Sequence, residues 1–210
     1  MSASSSFTKN NVITEEGTDR EAPVDLDIWV ETVNEIITKP PWEGMYKPPP
    51  IELLPWLYIS DEFHIRQVVQ RYNALHITHV LTTNEMEDHQ IASMQKLMAS
   101  AGIRHLYVPG QDEEGYEMIG QYWNECYNFI QEAWEHRNVG AKVVIHCKAG
   151  INRSGLISAA TMMVLEQKNL LDVVHHMKQK RGLVLSNLSF QRQLCKLAAK
   201  EGLLGKHPKK

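Results

Sequence analysis

Residues 146–155 read HCKAGINRSG and bring a thiol, a glycine, a guanidinium and a hydroxyl into one short run. Five residues (Lys148, Ala149, Gly150, Ile151 and Asn152) separate Cys147 from Arg153. That is enough for a closed loop whose successive N–H groups point inward. With the positive end of a following helix dipole, such amides form an anion site sized for phosphate. Gly150 lets the backbone approach the bound oxygens, and Arg153 can grip two of them bidentately. The same field favours the thiolate of Cys147 over its thiol. His146 can fix the cysteine backbone, and Ser154 can donate a hydrogen bond to the sulfur when it leaves. The chemistry open to this set is attack of sulfur on phosphorus, with a thiophosphate intermediate. A lone cysteine in a strand is usually core, and a glycine turn before a helix is usually only a turn. Cys, Gly, Arg and Ser coinciding directly after an apolar strand argue for the chemical reading.

These residues need a strand that delivers Cys147 and a helix that carries Ser154. In an open α/β sheet, ligands bind where strands end and helices begin. A buried-looking strand is expected over 142–146 and a helix over 154–167. Upstream, strand-like runs at 57–59, 76–81 and 104–108 alternate with helix-like runs at 60–72, 87–100 and 118–136. Ser60 is placed to cap the first of these helices. The third carries Ile119, Tyr122, Trp123, Cys126, Ile130, Ala133 and Trp134 as a helical stripe. Two more helices are expected over 170–180 and 187–200. The alternation predicts an α/β fold with a central, mostly parallel sheet of about four to five strands flanked by helices.

Residues 1–24 are rich in Ser, Thr, Asn, Glu and Gly and read as a flexible tail. Within 25–50, Leu26, Ile28, Trp29, Val33, Ile36 and Ile37 have the spacing of an amphipathic helix. Pro40, Pro41, Pro48, Pro49 and Pro50 then force an extended connector. This helix has two readings. It packs back on the domain, or residues 25–38 dock a partner, a membrane or a second copy in a dimer.

The 210 residues are 43% hydrophobic and 22% charged, the proportions of a soluble globular protein. A net charge of -3 gives no sign of a nucleic-acid partner. The basic accents at 178–181 and in a short tail at 204–210 do not alter that. No run approaches the roughly 18 apolar residues of a membrane span. From the polar first residues no signal peptide is expected, and with Ser2 in place of glycine no N-myristoylation is expected. Three cysteines are too few for a disulfide framework, so a reducing compartment is expected, the cytoplasm by default and the nucleus as well. Cys126 and Cys195 fall on apolar faces and read as packing rather than redox partners of Cys147. His175 and His176 are helix neighbours that point in different directions, a poor metal pair. No metal or cofactor is expected. Arg181 either caps its helix or lines the entrance to the loop.

The run HCKAGINRSG resembles the HCxxGxxRS signature of the protein tyrosine phosphatase superfamily, and the short domain is similar to its dual-specificity branch. IELLPWLYI at 51–59 is similar to that family's opening strand, and 77–81 to its next one. SNLSFQRQL at 186–194 is similar to the Asn-x-x-Phe-x-x-Gln-Leu segment of its last helix. The resemblance covers about residues 51–203 and implies a catalytic domain there with a protein tyrosine phosphatase-like fold. It implies a phosphorylated protein as substrate, with phosphotyrosine and phosphoserine or phosphothreonine hydrolysed through Cys147. Lys148 to Arg153 then bind the phosphate, Ser154 assists the leaving sulfur and His146 supports the cysteine. The family also uses an aspartate after an earlier strand as general acid. Asp112, in VPGQDEEGYEMIGQY, matches it, with Glu113 and Glu114 as adjacent rivals. The same carboxylate would activate water in the second step.

Asn152 departs from the pattern, since many dual-specificity members carry Ser or Gly before the arginine. Asn before Arg with Gly after Ser resembles poxvirus-encoded members, and also RNA 5′-triphosphatases of the superfamily. Those triphosphatases typically have His where Ala149 stands and do not depend on the aspartate, so Ala149, Asp112 and the net charge favour protein over an RNA 5′ end. Lys148 alone gives a weak case for a phosphoinositide. A module that binds phosphoproteins without turnover is the remaining alternative.

Overall fold

In a computed structural model of the chain, residues 25–40, 49–65, 67 and 74–208 are described. The expected tail at 1–24 and most of the proline connector lie outside them. The strand that delivers Cys147, β5 (Val143–Cys147), is buried along its whole length. It can be so because parallel neighbours take its backbone groups on both sides. β2 (Leu57–Asp61) pairs with it from Leu57↔Val143 to Asp61↔Cys147, and β3 (His79–Thr82) from His79↔Val143 to Thr82↔His146. β1 (Ile51–Leu54) adds an antiparallel edge to β2, and β4 (Arg104–Tyr107) a parallel one to β3. The order is β1-β2-β5-β3-β4, a five-stranded, mostly parallel sheet.

Side chains alternate across this sheet, and each face has its own core. Val143, Ile145, Leu57, Ile59 and Leu81 belong to the larger core, formed with five helices. These are α1 (Leu26–Thr38), α4 (Met118–Glu135), α5 (Arg153–Glu166), α6 (Leu170–Arg181) and α7 (Leu188–Lys200). Tyr58, Val80 and Val144 point the other way, to Ile65 on α2 (Glu62–Ile65) and to Met94 and Met98 on α3 (Asp88–Ser100). Among the described residues α5 is the central helix, buried on every side from Arg153 to Met163, with Ser158 and Thr161 the only polar side chains from Leu156 onward in that stretch. A helix with so little polar surface is stable only when buried all round. At its C-terminal end Glu166 accepts the indole N–H groups of Trp56 and Trp134, each at 3.0 Å.

Helix boundaries follow the predicted periodicity closely, with one local correction. Ser60, expected to cap a helix over 60–72, lies inside β2 opposite His146 and is 1% exposed. Asp61 takes the capping role, accepting the His64 amide at 2.9 Å. Beyond Ile65 most of that expected helix lies outside the described residues. His76 adopts a left-handed φ of 55°, so the strand expected from there begins at His79.

Helix α1 packs back on the domain. Trp29, Val30, Val33 and Ile37 are buried against the helical core, Arg192 pairs with Asp27 at 3.1 Å, and Lys178 donates to the Ile37 carbonyl. The apolar face that the sequence offered to a partner or a second copy is covered by α6 and α7 of the same chain. No described helix is long and apolar enough to cross a membrane. Ile37 is 1% exposed, so Ile37→Ala should cost about 2–5 kcal/mol in urea unfolding. A change within about 0.5 kcal/mol would mean that α1 does not pack there in solution.

Candidate active site

The loop from Cys147 to Arg153 joins the C-terminal end of β5 to the N-terminal end of α5. Its carbonyls are held from outside. Lys148 O accepts the Glu62 amide at 3.2 Å, Ile151 O accepts the Leu185 amide at 3.1 Å, and Ala149 O accepts Arg181 Nη2 at 3.2 Å. Among the described residues the amides of Lys148 through Asn152 donate no hydrogen bond. The first turn of α5 has no side-chain cap on Asn152. Unpaired amides and an uncapped helix N-terminus together make an anion site.

Gly150 is required for this shape. Its φ is +66°, and a Cβ there would lie 2.7 Å from the Ser60 carbonyl oxygen. Gly155, one turn further, packs so closely that a Cβ would meet Val184 Cγ2 at 2.9 Å.

Cys147 is 1% exposed, and its Sγ lies 3.2 Å from Ser154 Oγ, itself buried. Arg153 is 8% exposed; Nη1 donates to the Gly110 carbonyl at 3.1 Å, and Nη2 lies 3.8 Å from Asp112 Oδ2. The loop that bears Gly110 and Asp112 therefore docks on the arginine itself. Asn152 Nδ2 donates to Asp112 Oδ2 at 3.2 Å, and Asn187 Nδ2 to Asp112 Oδ1 at 3.3 Å. No hydrogen bond or ion pair links the rival carboxylates of Glu113 and Glu114 to described residues of the loop. Of the three acids, the site holds Asp112.

His146 is fixed from two sides. Its carbonyl accepts the Thr83 amide at 2.9 Å and the Thr83 hydroxyl at 2.7 Å. Its Nε2 lies 2.7 Å from Thr82 Oγ1, which is also 2.8 Å from His105 Nε2. Burial, and secondarily His105, push the His146 pKa down to about 3, while the Cys147 backbone and Asp61 oppose weakly. Burial likewise lowers His105 to about 4. Burial favours the neutral form of both rings, and because the Thr82 hydroxyl has a single proton, at least one of the two must carry its proton on Nε2 and donate to Thr82.

The remaining predicted residues separate. Lys148 is exposed and lines an open depression of about 520 Å3 with Glu62, Phe63 and Gln67. The Asn152 side chain faces Asp112, while its backbone amide stays with those of the loop. Arg181 serves neither as a simple cap nor as an open rim: it is 8% exposed and holds the loop through Ala149. Cys126 and Cys195 are fully buried, and burial pushes both thiols up to about 12. His176 Nε2 donates to Leu53 O at 2.7 Å, tying α6 to β1. Ile119 and Trp123, part of the apolar helical stripe, are only half-buried and border a groove of about 300 Å3 against α7.

Sequence reasoning missed Thr82, Thr83 and His105, and gave no structural role to Asn187 or Gln193. Gln193, 3% exposed, accepts the Ile119 amide at 2.9 Å and donates to Tyr116 O at 2.7 Å, bracing the start of α4 behind the acidic loop. The resemblance of 186–194 to a family segment was the available signal for both.

A family model for the dual specificity phosphatase catalytic domain matches residues 57–200, and the chain belongs to that family. Human dual specificity protein phosphatase 5 is 30% identical over 145 residues, which are 69% of this chain and 34% of that protein. The protein phosphatase Slingshot homolog of Xenopus laevis is 32% identical over 158 residues, 74% of this chain and 20% of that protein. The chain thus spans about a third or less of the length of these relatives. Among solved structures, DUSP15 is 26% identical with a TM-score of 0.58, covering 73% of this chain and 90% of its own. OH1 from the Orf virus, at 15% identity, shares the fold with a TM-score of 0.61 over 80% of this chain and 96% of its own.

The buried imidazoles make stability depend on pH. His79 is lowered to about 4, first by burial and then by Arg104 and His136, and joins His105 and His146 in staying neutral when folded. The unfolded chain protonates these groups near pH 6.5, so their neutral burial costs nothing above that pH. Stability falls as pH drops from 6.5 towards 4, by on the order of 1 kcal/mol per histidine per pH unit. Urea midpoints at pH 7.5 and 5.5 test this; equal midpoints would contradict it.

Proposed function

We propose that this chain is a protein phosphatase that hydrolyses phosphotyrosine and phosphoserine or phosphothreonine through a cysteinyl-phosphate intermediate. The reading is carried by the convergence of Cys147, Ser154, Arg153 and Asp112 on one anion-binding loop. In the first step Cys147 attacks phosphorus as the ester P–O bond breaks, and Asp112 gives its proton to the departing oxygen. The loop amides and Arg153 hold the remaining phosphoryl oxygens, where negative charge sits in the transition state. In the second step the Asp112 carboxylate takes a proton from water, the water oxygen bonds to phosphorus, and the sulfur leaves. Ser154 donates a hydrogen bond to that sulfur.

An acid held over the loop favours this monoester chemistry over that of an RNA 5′-triphosphatase. Membership of the dual specificity family supports a protein substrate. Cys147→Ser should abolish hydrolysis of phosphopeptides and of aryl phosphates, and vanadate should inhibit the unaltered chain. Retained turnover in Cys147→Ser would overturn the mechanism. Asp112→Asn should lose about 10²- to 10⁴-fold in kcat on alkyl phosphates, shrinking as the leaving group becomes more acidic. An equal loss on every leaving group would remove Asp112 from the acid role.

A further inference from the structure

We propose that Asn152 and Asn187 are positioning residues that form a two-sided amide clamp on the Asp112 carboxylate. The inference deepens the proposed function and rests on Asp112 as its general acid. Each amide grips a different oxygen: Asn152 Nδ2 lies 3.2 Å from Oδ2, and Asn187 Nδ2 lies 3.3 Å from Oδ1.

The orientation of both amides is fixed by their other ends. Asn152 Oδ1 accepts the Ser186 hydroxyl at 3.0 Å and the Asn187 backbone amide at 3.2 Å. Asn187 Oδ1 accepts the backbone amides of Ser189 at 2.9 Å and Phe190 at 3.3 Å, and the Ser189 hydroxyl at 2.8 Å. A backbone N–H only donates, so the atom facing it is the amide oxygen, and the NH2 must turn to Asp112. The clamp is therefore built from positions that have no freedom to flip.

It also gives a reason for asparagine at 152. Serine, usual there in related loops, has one rotatable oxygen. All its bonds meet at that single short-armed oxygen, whereas here the two donors of the 186–187 connection and the carboxylate of another loop are met by two separate atoms, Oδ1 and Nδ2. The carboxamide does both, and it ties three segments: the Cys147 loop, the Asp112 loop and the start of α7. Neither asparagine touches Cys147 Sγ or Arg153 through its side chain, so each acts through Asp112. The clamp should then affect only substrates whose leaving group needs a proton.

The test uses the full chain with two variants that keep the supporting contacts. Asn152→Asp keeps the oxygen that Ser186 and Asn187 bond and replaces the donor by a repelling carboxylate. Asn187→Ser keeps an N-cap acceptor for α7 and removes the donor. Asn187→Ser should lower kcat on an alkyl phosphate by about 10- to 100-fold with KM nearly unchanged, and barely affect an aryl phosphate with an acidic leaving group. Asn152→Asp also adds charge to the phosphate loop, so it should slow hydrolysis of both substrates, but that of the alkyl phosphate by about a further 10-fold. In the Asp112→Asn background the alkyl-over-aryl difference of each variant should shrink to less than about twofold, because coupled residues are non-additive. An equal loss on both substrates, or full additivity with Asp112→Asn, would overturn the clamp. If Asp112→Asn itself shows no leaving-group dependence, the acid assignment fails; if it does and the asparagine variants do not, the clamp alone fails.

Discussion

A peptide loop offers its amides to an anion only when its carbonyls are held elsewhere. That constraint organises the domain. Lys148, Ala149 and Ile151 give their carbonyls to α2, α6 and the connection before α7, and Asn152 gives its own to Leu156 inside α5. Remove any one and that carbonyl is free to turn inward, against the charge the loop must bind. The sheet contributes through Gly150, which has room only because no Cβ meets the Ser60 carbonyl at the end of β2. Parallel pairing of β2 and β5 sets that approach, since it aligns Asp61 with Cys147. The register of two strands thus decides whether the loop closes.

The same arrangement loads polar groups into the interior. Arg153 is buried with its Nε unpartnered among the described residues, and His146 and His105 each leave a buried Nδ1 in the same condition. Such groups cost free energy unless something offsets them. The offset is the apolar mass around them: α5 lies in the larger core, and β5 is flanked by buried side chains on both faces. Neutral histidines are the cheaper way to keep hydrogen-bonding rings there, because the attraction of Asp61 for a charged His146 does not offset the cost of burying that charge. A guanidinium cannot take that route, and its partners are the Gly110 carbonyl and the Asp112 carboxylate. Satisfying Arg153 and docking the acidic loop are one set of contacts.

Much of this was legible in the sequence where a signal is local. Cys147, Arg153 and Ser154 share one run, and the 3.6-residue spacing of buried positions such as Met118, Cys126, Ile130 and Ala133 marks α4. Polar partners distant along the chain were not legible. Asn187 stands 75 residues from Asp112 and His146 stands 64 from Thr82, and no periodicity encodes such pairs. Ser60 misled for a related reason: its type suits a helix cap, but its neighbours Leu57, Tyr58 and Ile59 commit it to a buried strand. Trp123 misled because a stripe shows which face is apolar and not whether a neighbour covers it completely.

Helix α7 joins these two kinds of information. Its apolar face, with Phe190, Leu194 and Leu197, closes the core in the way that periodicity predicts. Its polar residues are what resist prediction. Asn187 caps it and grips Asp112, Gln193 braces the segment after Asp112, and Gln191 donates to the Leu185 carbonyl at 2.8 Å. Leu185 in turn donates to Ile151 of the Cys147 loop. Gln191 also reaches Asn34 of α1 at 3.5 Å, and Arg192 pairs with Asp27. A helix that looks like simple core closure therefore fixes Asp112, the Cys147 loop and the N-terminal helix against one another. Its glutamines and asparagine are buried or half-buried because each completes a backbone group that no strand or helix of the fold can reach.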